Sequence, residues 1–260
     1  MKLKERILSN VVRLKRDTFF VLKCKHLPPL RRIRKKKYYM ISFKGLKIIL
    51  TEKDYSTDTA VFNEIFWLER YKTDYKGSQV FDFGAHKGYY TLYTVLKGAS
   101  KVYCYEPEKF NFRVLKKNIE LNNFSKKVVL NNCAVDNESS IKDFYIANAG
   151  WSHSLYHRED VKIVKRVRVE TESINDILAN TDHNTRTIVK LDIEGKEYDV
   201  MYSIRDTFMQ YITDFFIECH PFLLYSKEEM IKYLSSKKFK LVSISGDVLH
   251  FKKIQSSSGG

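Results

Sequence analysis

From residue 80 onward, short apolar runs alternate with amphipathic stretches, and that alternation sets the first reading of the fold. Val80–Phe83, Lys101–Tyr105, Val128–Ala134, Ile188–Asp192 and Tyr211–Glu218 read as strands. Their nearly continuous apolar character is that of strands covered on both faces of a parallel sheet. Tyr89–Lys97, Phe110–Asn122, Ser173–Ala179 and Lys227–Leu234 read as the helices between them. The stretch 141–170 alternates with period two (Ile141, Phe144, Ile146, then Ile163, Val164, Val167, Val169), which predicts an extra hairpin. Lys240–Ile244 and Val248–Lys252, joined by Ser245-Gly246-Asp247, predict a terminal hairpin that sets one antiparallel strand on the sheet.

Upstream the pattern is different. Residues 5–22 place Ile7, Leu8, Val11, Val12 and Leu14 at near-helical spacing among Lys and Arg, and Pro28-Pro29 ends that helix. A hairpin is expected at Tyr38–Phe43 and Leu46–Leu50 across Lys44-Gly45, then a helix at Asp58–Arg70. The expected organisation is a basic amphipathic arm at 1–37, a hairpin-and-helix cap at 38–78, a ligand-binding α/β domain at 79–254 and a flexible tail at 255–260.

Charge sharpens that division. The 46 Lys/Arg against 31 Asp/Glu leave +15 over 260 residues. Residues 1–37 hold 14 of the basic side chains against only Glu5 and Asp17, a net +12, so the remainder is nearly balanced at +3. The basic excess therefore belongs to the arm, whose apolar stripe suits an anionic membrane surface. No apolar run approaches the ~20 residues that cross a bilayer, and no secretory signal pattern stands at the N-terminus. Cys24, Cys104, Cys133 and Cys219 are widely spaced, without a C-x-x-C pair, which reads as reduced thiols of a cytoplasmic protein, peripheral at the inner membrane face.

The chemistry begins at Asp82-Phe-Gly-Ala-His-Lys-Gly88, where a strand turns into a helix. Gly84 permits a sharp turn, Ala85 keeps it thin, and Gly88 lets a ligand approach the helix N-terminus. The spacing is not the G-x-G-x-x-G of pyrophosphate-binding folds, and Asp82 would repel a pyrophosphate but could hold an ammonium group. Glu106, at the end of the second strand and stiffened by Pro107, is placed to accept a pair of ribose hydroxyls. A ligand with an amino acid end and a ribose fits these groups, namely S-adenosylmethionine.

These residues resemble the FkbM-type family of S-adenosylmethionine-dependent methyltransferases. The matching pieces are the glycine loop, Tyr105-Glu-Pro-Glu108, Asn132-Cys-Ala-Val-Asp136, Val189-Lys-Leu-Asp-Ile-Glu-Gly195 with Glu197, and Ile217-Glu-Cys-His-Pro221. The resemblance spans about 79–253 and implies a class I methyltransferase sheet, Rossmann-like and mostly parallel with an antiparallel C-terminal strand, preceded here by an N-terminal extension. It implies a cofactor set of Asp82, Gly84, Ala85, His86, Gly88, Glu106, Pro107 and Ala134, and O-methylation of a sugar, glycan or other small molecule. One departure is His86, where the family usually has Asn.

Methyl transfer to a hydroxyl needs alignment, a dry site and a proton acceptor. Strand ends place Asp192, Glu194, Glu218 and His220 near the reaction. His220 is a candidate base because imidazole titrates near neutrality, with Asp192 or Glu194 as alternatives. No resident metal is expected; a divalent cation on these carboxylates and His220 is the minor alternative. Trp151, Ser152 and His153 form a candidate substrate loop. The basic arm keeps nucleic acid as a less favoured acceptor, since neither an N/D-P-P-Y/F motif nor a Pro-Cys pair is present.

Overall fold

The computed structural model describes residues 38–148, 152–157, 159, 161–220 and 226–254, together with the backbone of 31–32. The rest of the 1–37 arm, Trp151 and the tail 255–260 lie outside the described residues. The chain forms two compact units, residues 1–59 and 60–260.

In the first unit β1 (Arg31–Arg32), β2 (Tyr38–Phe43) and β3 (Leu46–Thr51) make an antiparallel sheet turned at Lys44-Gly45. Helix α1 (Tyr55–Phe66) begins three residues earlier than the spacing predicts. The fully buried Asp58 draws that start back, because its Oδ2 accepts both the Thr51 N–H at 2.7 Å and the Thr51 hydroxyl at 2.8 Å.

The second unit is built on a seven-stranded sheet. Its strands are β4 (Gln79–Phe83), β5 (Lys101–Tyr105), β6 (Val128–Asn131), β10 (Thr187–Leu191), β11 (Ile212–Glu218), β12 (Phe239–Ser245) and β13 (Val248–Lys253), in the order β12-β13-β11-β10-β4-β5-β6. All pairs from β11 to β6 are parallel, whereas β13 runs antiparallel to both β11 and β12. This is the expected class I methyltransferase topology. Every residue of β4 and β10 is buried, as befits central strands covered on both faces. One face packs Phe81, Phe83, Val189, Leu191, Phe215 and Phe251 into an aliphatic and aromatic core. On the other, Tyr71, Tyr75, Tyr90 and Tyr93 meet edge to face or tilted, and the Tyr75 and Tyr90 hydroxyls lie 3.2 Å apart.

Helices α2 (Tyr89–Leu96), α3 (Lys109–Leu121), α4 (Ile174–Ala179) and α7 (Lys227–Ser236) fall where the pattern predicts them. Helix α7 opens on a capping box in which Ser226 and Glu229 satisfy each other's backbone N–H. Two short helices, α5 (Glu197–Ser203) and α6 (Asp206–Met209), were not expected. The expected strand Val128–Ala134 is in fact two. After β6 the chain breaks at Asn132-Cys133, and β7 (Ala134–Asp136) joins a separate sheet, parallel to β9 (Ile163–Ser173). Strand β8 (Ser140–Ala147) pairs antiparallel with β9, which is the predicted extra hairpin.

Away from the strand ends that carry the site, Asp214 anchors a buried network. It meets His250 Nε2 and Arg186 Nη2 at 3.0 Å each and accepts the Thr73 hydroxyl at 3.0 Å. Burial alone would raise its carboxyl, but hydrogen bonds from His250 and Arg186 hold it down at about 2. A depressed carboxyl stabilises the fold fully above its unfolded value of about 3.9 and loses that contribution as protons bind. The melting temperature is therefore expected to fall between about pH 4 and pH 2, and Asp214→Asn should flatten that part of the acid profile. An unchanged profile in the variant would place the acid sensitivity elsewhere.

Candidate active site

In chain order the sheet grows outward from β4 toward β6 on one side, then resumes at β10 on the other. A crevice opens at such a reversal, beyond the carboxyl ends of the strands. There β4 runs into the glycine turn, β10 into Asp192, and β11 into Glu218-Cys219-His220. Because β10 pairs with both neighbours, these three strand ends meet.

The glycine turn is stapled to the next strand, since the Gly84 and Ala85 N–H groups donate to the Tyr105 carbonyl at 3.1 and 2.9 Å. Gly84 and Gly88 have φ of +77° and +83°. His86 also lies in the left-handed region, at +51°, where Asn is among the few side chains tolerated readily. That explains the residue usual at this position in the family resembled, and shows His86 meeting the same backbone demand.

Glu106 is almost fully buried. Its Oε2 accepts the His86 N–H at 2.8 Å and its Oε1 the Glu108 N–H at 2.7 Å. Burial outweighs these two donors and pushes the carboxyl up to about 8. Glu106 lines a cleft of about 730 Å3, counting its open mouth, together with Gly84, His86, Pro107, Ala134, His153, Asp192 and Glu194. Phe144, Leu155 and Ile193 supply apolar wall.

Asp82, Ala85 and Gly88 shape the turn without lining the cleft. Sequence reasoning reserved Asp82 for a ligand ammonium, but here it meets the protein's own. Its Oδ1 lies 3.3 Å from Lys190 Nζ and its Oδ2 accepts the Thr91 hydroxyl at 2.6 Å. Lys190 is itself only 4% exposed, reaches Asp192 at 3.1 Å, and donates to the Gly84 carbonyl at 3.1 Å. Burial alone would lower Lys190, but Asp192 and Asp82 carry it well above its ordinary value. It ties the ends of β4 and β10 together.

Asp192, Glu194 and His220 do come together. His220 Nε2 lies 3.5 Å from Glu194 Oε2 and 4.0 Å from Asp192 Oδ1, and Nδ1 lies 3.1 Å from Glu197 Oε1. Burial would lower the imidazole, but hydrogen bonds to Glu194 and Glu197, with their charges, push it up to about 12. That shift argues against His220 as a base near neutrality and for carboxylates as the groups able to accept a proton. Nearby, Glu218 accepts the Tyr71 hydroxyl at 3.1 Å, and burial with the charge of Asp192 pushes it up to about 8.

In the candidate substrate loop His153 lines the cleft, with Nδ1 accepting the Ala147 N–H at 3.1 Å. Ser152 is buried and does not line it. Ser154, not singled out from the sequence, donates its hydroxyl to the Glu194 carbonyl and so moors this loop to the turn after β10. Among the described residues one group has the spacing of metal ligands, Asp192 with Glu197 and His220. Among the described residues no helix is long and apolar enough to cross a membrane.

No curated protein matches this chain. Among solved structures, the FkbM methyltransferase of Methylobacillus flagellatus KT superposes with a TM-score of 0.50 at 15% identity, over 78% of this chain and 55% of that one. This chain thus spans little more than half of that relative. TYW2 of M. jannaschii, in complex with AdoMet, gives 0.41 at 15% identity over 86% of this chain and 90% of its own. A putative RNA methyltransferase from Pyrococcus horikoshii gives 0.40 at 15% identity, over 76% and 86%. A family model for the methyltransferase FkbM domain matches residues 82–241, from the buried Asp82 of the glycine turn to Leu241 in β12. That span takes in every strand end of the cleft, and the chain belongs to the FkbM methyltransferase family.

Proposed function

We propose that the protein is an S-adenosylmethionine-dependent O-methyltransferase acting on a hydroxyl of a sugar, glycan or other small molecule. The observation that carries this reading is the pairing, in one cleft, of a buried carboxylate just past β5 with the carboxylates just past β10. The donor set fits the cofactor. Each Glu106 oxygen holds one backbone N–H and keeps a lone pair for a ribose hydroxyl. Pro107, Ala134, Phe144 and Leu155 offer an apolar slot for a base, and the site's excess of carboxylates suits a ligand that carries positive charge.

The bound cofactor supplies a methyl group on a sulfonium, an electrophile that needs no further activation. The chain's own groups orient the acceptor and receive its proton. Asp192 and Glu194 both line the cleft, and Asp192 is the more open of the two, at 26% against 15% exposed. Asp192 is the group that would take the acceptor's hydroxyl proton, held in place by Lys190 at 3.1 Å. His153, which lines the same cleft, is a further side chain available to contact the acceptor.

Glu106 gives the cofactor claim a pH signature. Its carboxyl is raised when the cleft is empty, so hydroxyl donation to it favours the ionised form and releases a proton. Calorimetry should show affinity for S-adenosylmethionine rising as pH climbs from 6 toward 8. In Glu106→Gln the affinity should fall by about 10- to 100-fold, the loss of one or two hydrogen bonds to a charged group, and the pH dependence should flatten. Unchanged binding in the variant would remove Glu106 from the cofactor site. For the acceptor, transfer of labelled methyl to a panel of glycans, lipids and RNA decides; label found only in RNA would replace the sugar reading.

A further inference from the structure

We propose that Glu197 is the positioning residue of this site: one buried carboxylate sets both the turn that bears Asp192 and Glu194 and the ring of His220, so that the three groups are held as one unit. This rests on the methyl-transfer reading for its purpose, although the geometry stands without it.

Glu197 is completely buried at the first turn of α5. Its Oε1 accepts the Ile193 N–H and its Oε2 the Gly195 N–H, both at 2.9 Å. These N–H groups flank Glu194, whose φ of +57° is costly for a non-glycine residue and is sustained only where neighbouring contacts over-determine it. The same Oε1 lies 3.1 Å from His220 Nδ1. A carboxylate on Nδ1 fixes the ring's rotation and directs Nε2 outward, here toward Glu194 and Asp192. Glu197 does not line the cleft, so it acts through other residues rather than on the substrate.

The ring's charged surroundings come from three elements. Asp192 and Glu194 follow β10, Glu197 opens α5, and Glu218 ends β11, with Lys190 acting on Asp192 and Glu218 from within β10. Three of these carboxylates lie within 4.0 Å of the ring nitrogens. Losing Glu197 should change two things that ordinary loss of packing would not change together: the hydrogen bond at His220 Nδ1 and the backbone of residues 193–195.

The test is nuclear magnetic resonance of the His220 ring in the full chain, its signal assigned by loss in His220→Asn. In the wild-type protein the Nδ1 proton should appear strongly downfield and exchange slowly. In Glu197→Gln, which keeps the shape and removes the charge, that signal should move upfield and exchange faster, and the amide resonances of Ile193 and Gly195 should move with it. Glu197→Asp should restore little of either, since its carboxylate is drawn back by one methylene. A wild-type ring without the downfield proton, or a Glu197→Gln protein whose Nδ1, Ile193 and Gly195 signals stay where they are in wild type, would overturn the assignment. The wild-type spectrum serves even if a variant does not fold. Cofactor binding measured on the same wild-type sample tells this failure apart from failure of the methyltransferase reading.

Discussion

A Gly84→Ala protein is expected to bind S-adenosylmethionine at least 100-fold more weakly than wild type and to melt at a lower temperature. A Cβ at Gly84 would lie 1.8 Å from the Asp192 carbonyl oxygen and 2.9 Å from its carbonyl carbon. Both belong to backbone, which cannot swing aside as a side chain can. The left-handed φ of +77° costs a further ~1–2 kcal/mol for any L residue, and forced overpacking adds ~1–3 kcal/mol. Relief requires the ends of β4 and β10 to part, and the cleft lies between them. Gly88→Ala is the instructive control. It shares the left-handed φ, but its Cβ would meet the tip of the Leu115 side chain at 2.4 Å, and that chain can rotate. Thermal melts and calorimetry should rank Gly84→Ala as the more damaging; equal effects would mean that the approach of Asp192 is not what requires glycine.

Lys190→Met is expected to lower stability by about 3–5 kcal/mol, the range for removing one partner of a buried ion pair. Methionine fills similar space, so the loss is one of charge. Asp82, fully buried, would keep only the Thr91 hydroxyl, and the carbonyls of Phe83 and Gly84 would lose their ammonium donor. Burial already raises the Asp82 carboxyl, and Lys190 is the chief opposing influence. Without Lys190 the folded state would take up a proton there, and a carboxyl raised by folding contributes more stability as pH falls. Urea unfolding should therefore show a deficit that is largest at neutral pH and narrows toward pH 5. Adding Asp82→Asn should recover part of it at neutral pH. A deficit independent of pH, or no recovery in the double variant, would point to packing rather than to charge.

Much of this architecture can be read from local pattern. The parallel strands, the glycine turn, the acidic end of β5, the added hairpin and the reversed last strand each follow from residues close together in the chain. What escapes is what depends on distant partners. Val128–Ala134 looks like one strand because its apolar run barely pauses. The break comes from Asn132, whose side-chain amide donates to the carbonyls of Glu106 and Pro107 and so bends the chain over the neighbouring loop. Helix α5 is only seven residues long and owes its form to burial of Tyr198, Val200 and Met201. Lys190 stands two residues before Asp192 in the sequence, but its hold on Asp82 appears only when the sheet order sets β10 beside β4. The charge state of His220 is the clearest case, since carboxylates from a turn and a helix decide it. Glu197 could have been suspected from its place after Asp-x-Glu-Gly, but its work is done through backbone amides that no side-chain pattern displays.

The adjacency of β4 and β10 also has a kinetic meaning. Gln79 and Thr187, which face each other at the foot of these strands, are 108 residues apart in the chain. Strands β4, β5 and β6 can pair soon after they leave the ribosome, but the other wall of the crevice must wait for the fourth parallel strand. Closing so long a loop is entropically costly and slow. Until it closes, the glycine turn faces an open sheet edge and Asp82 has no lysine beside it. Ligand-binding competence should therefore be among the last properties acquired during refolding, appearing together with protection of the β10 amides from hydrogen exchange.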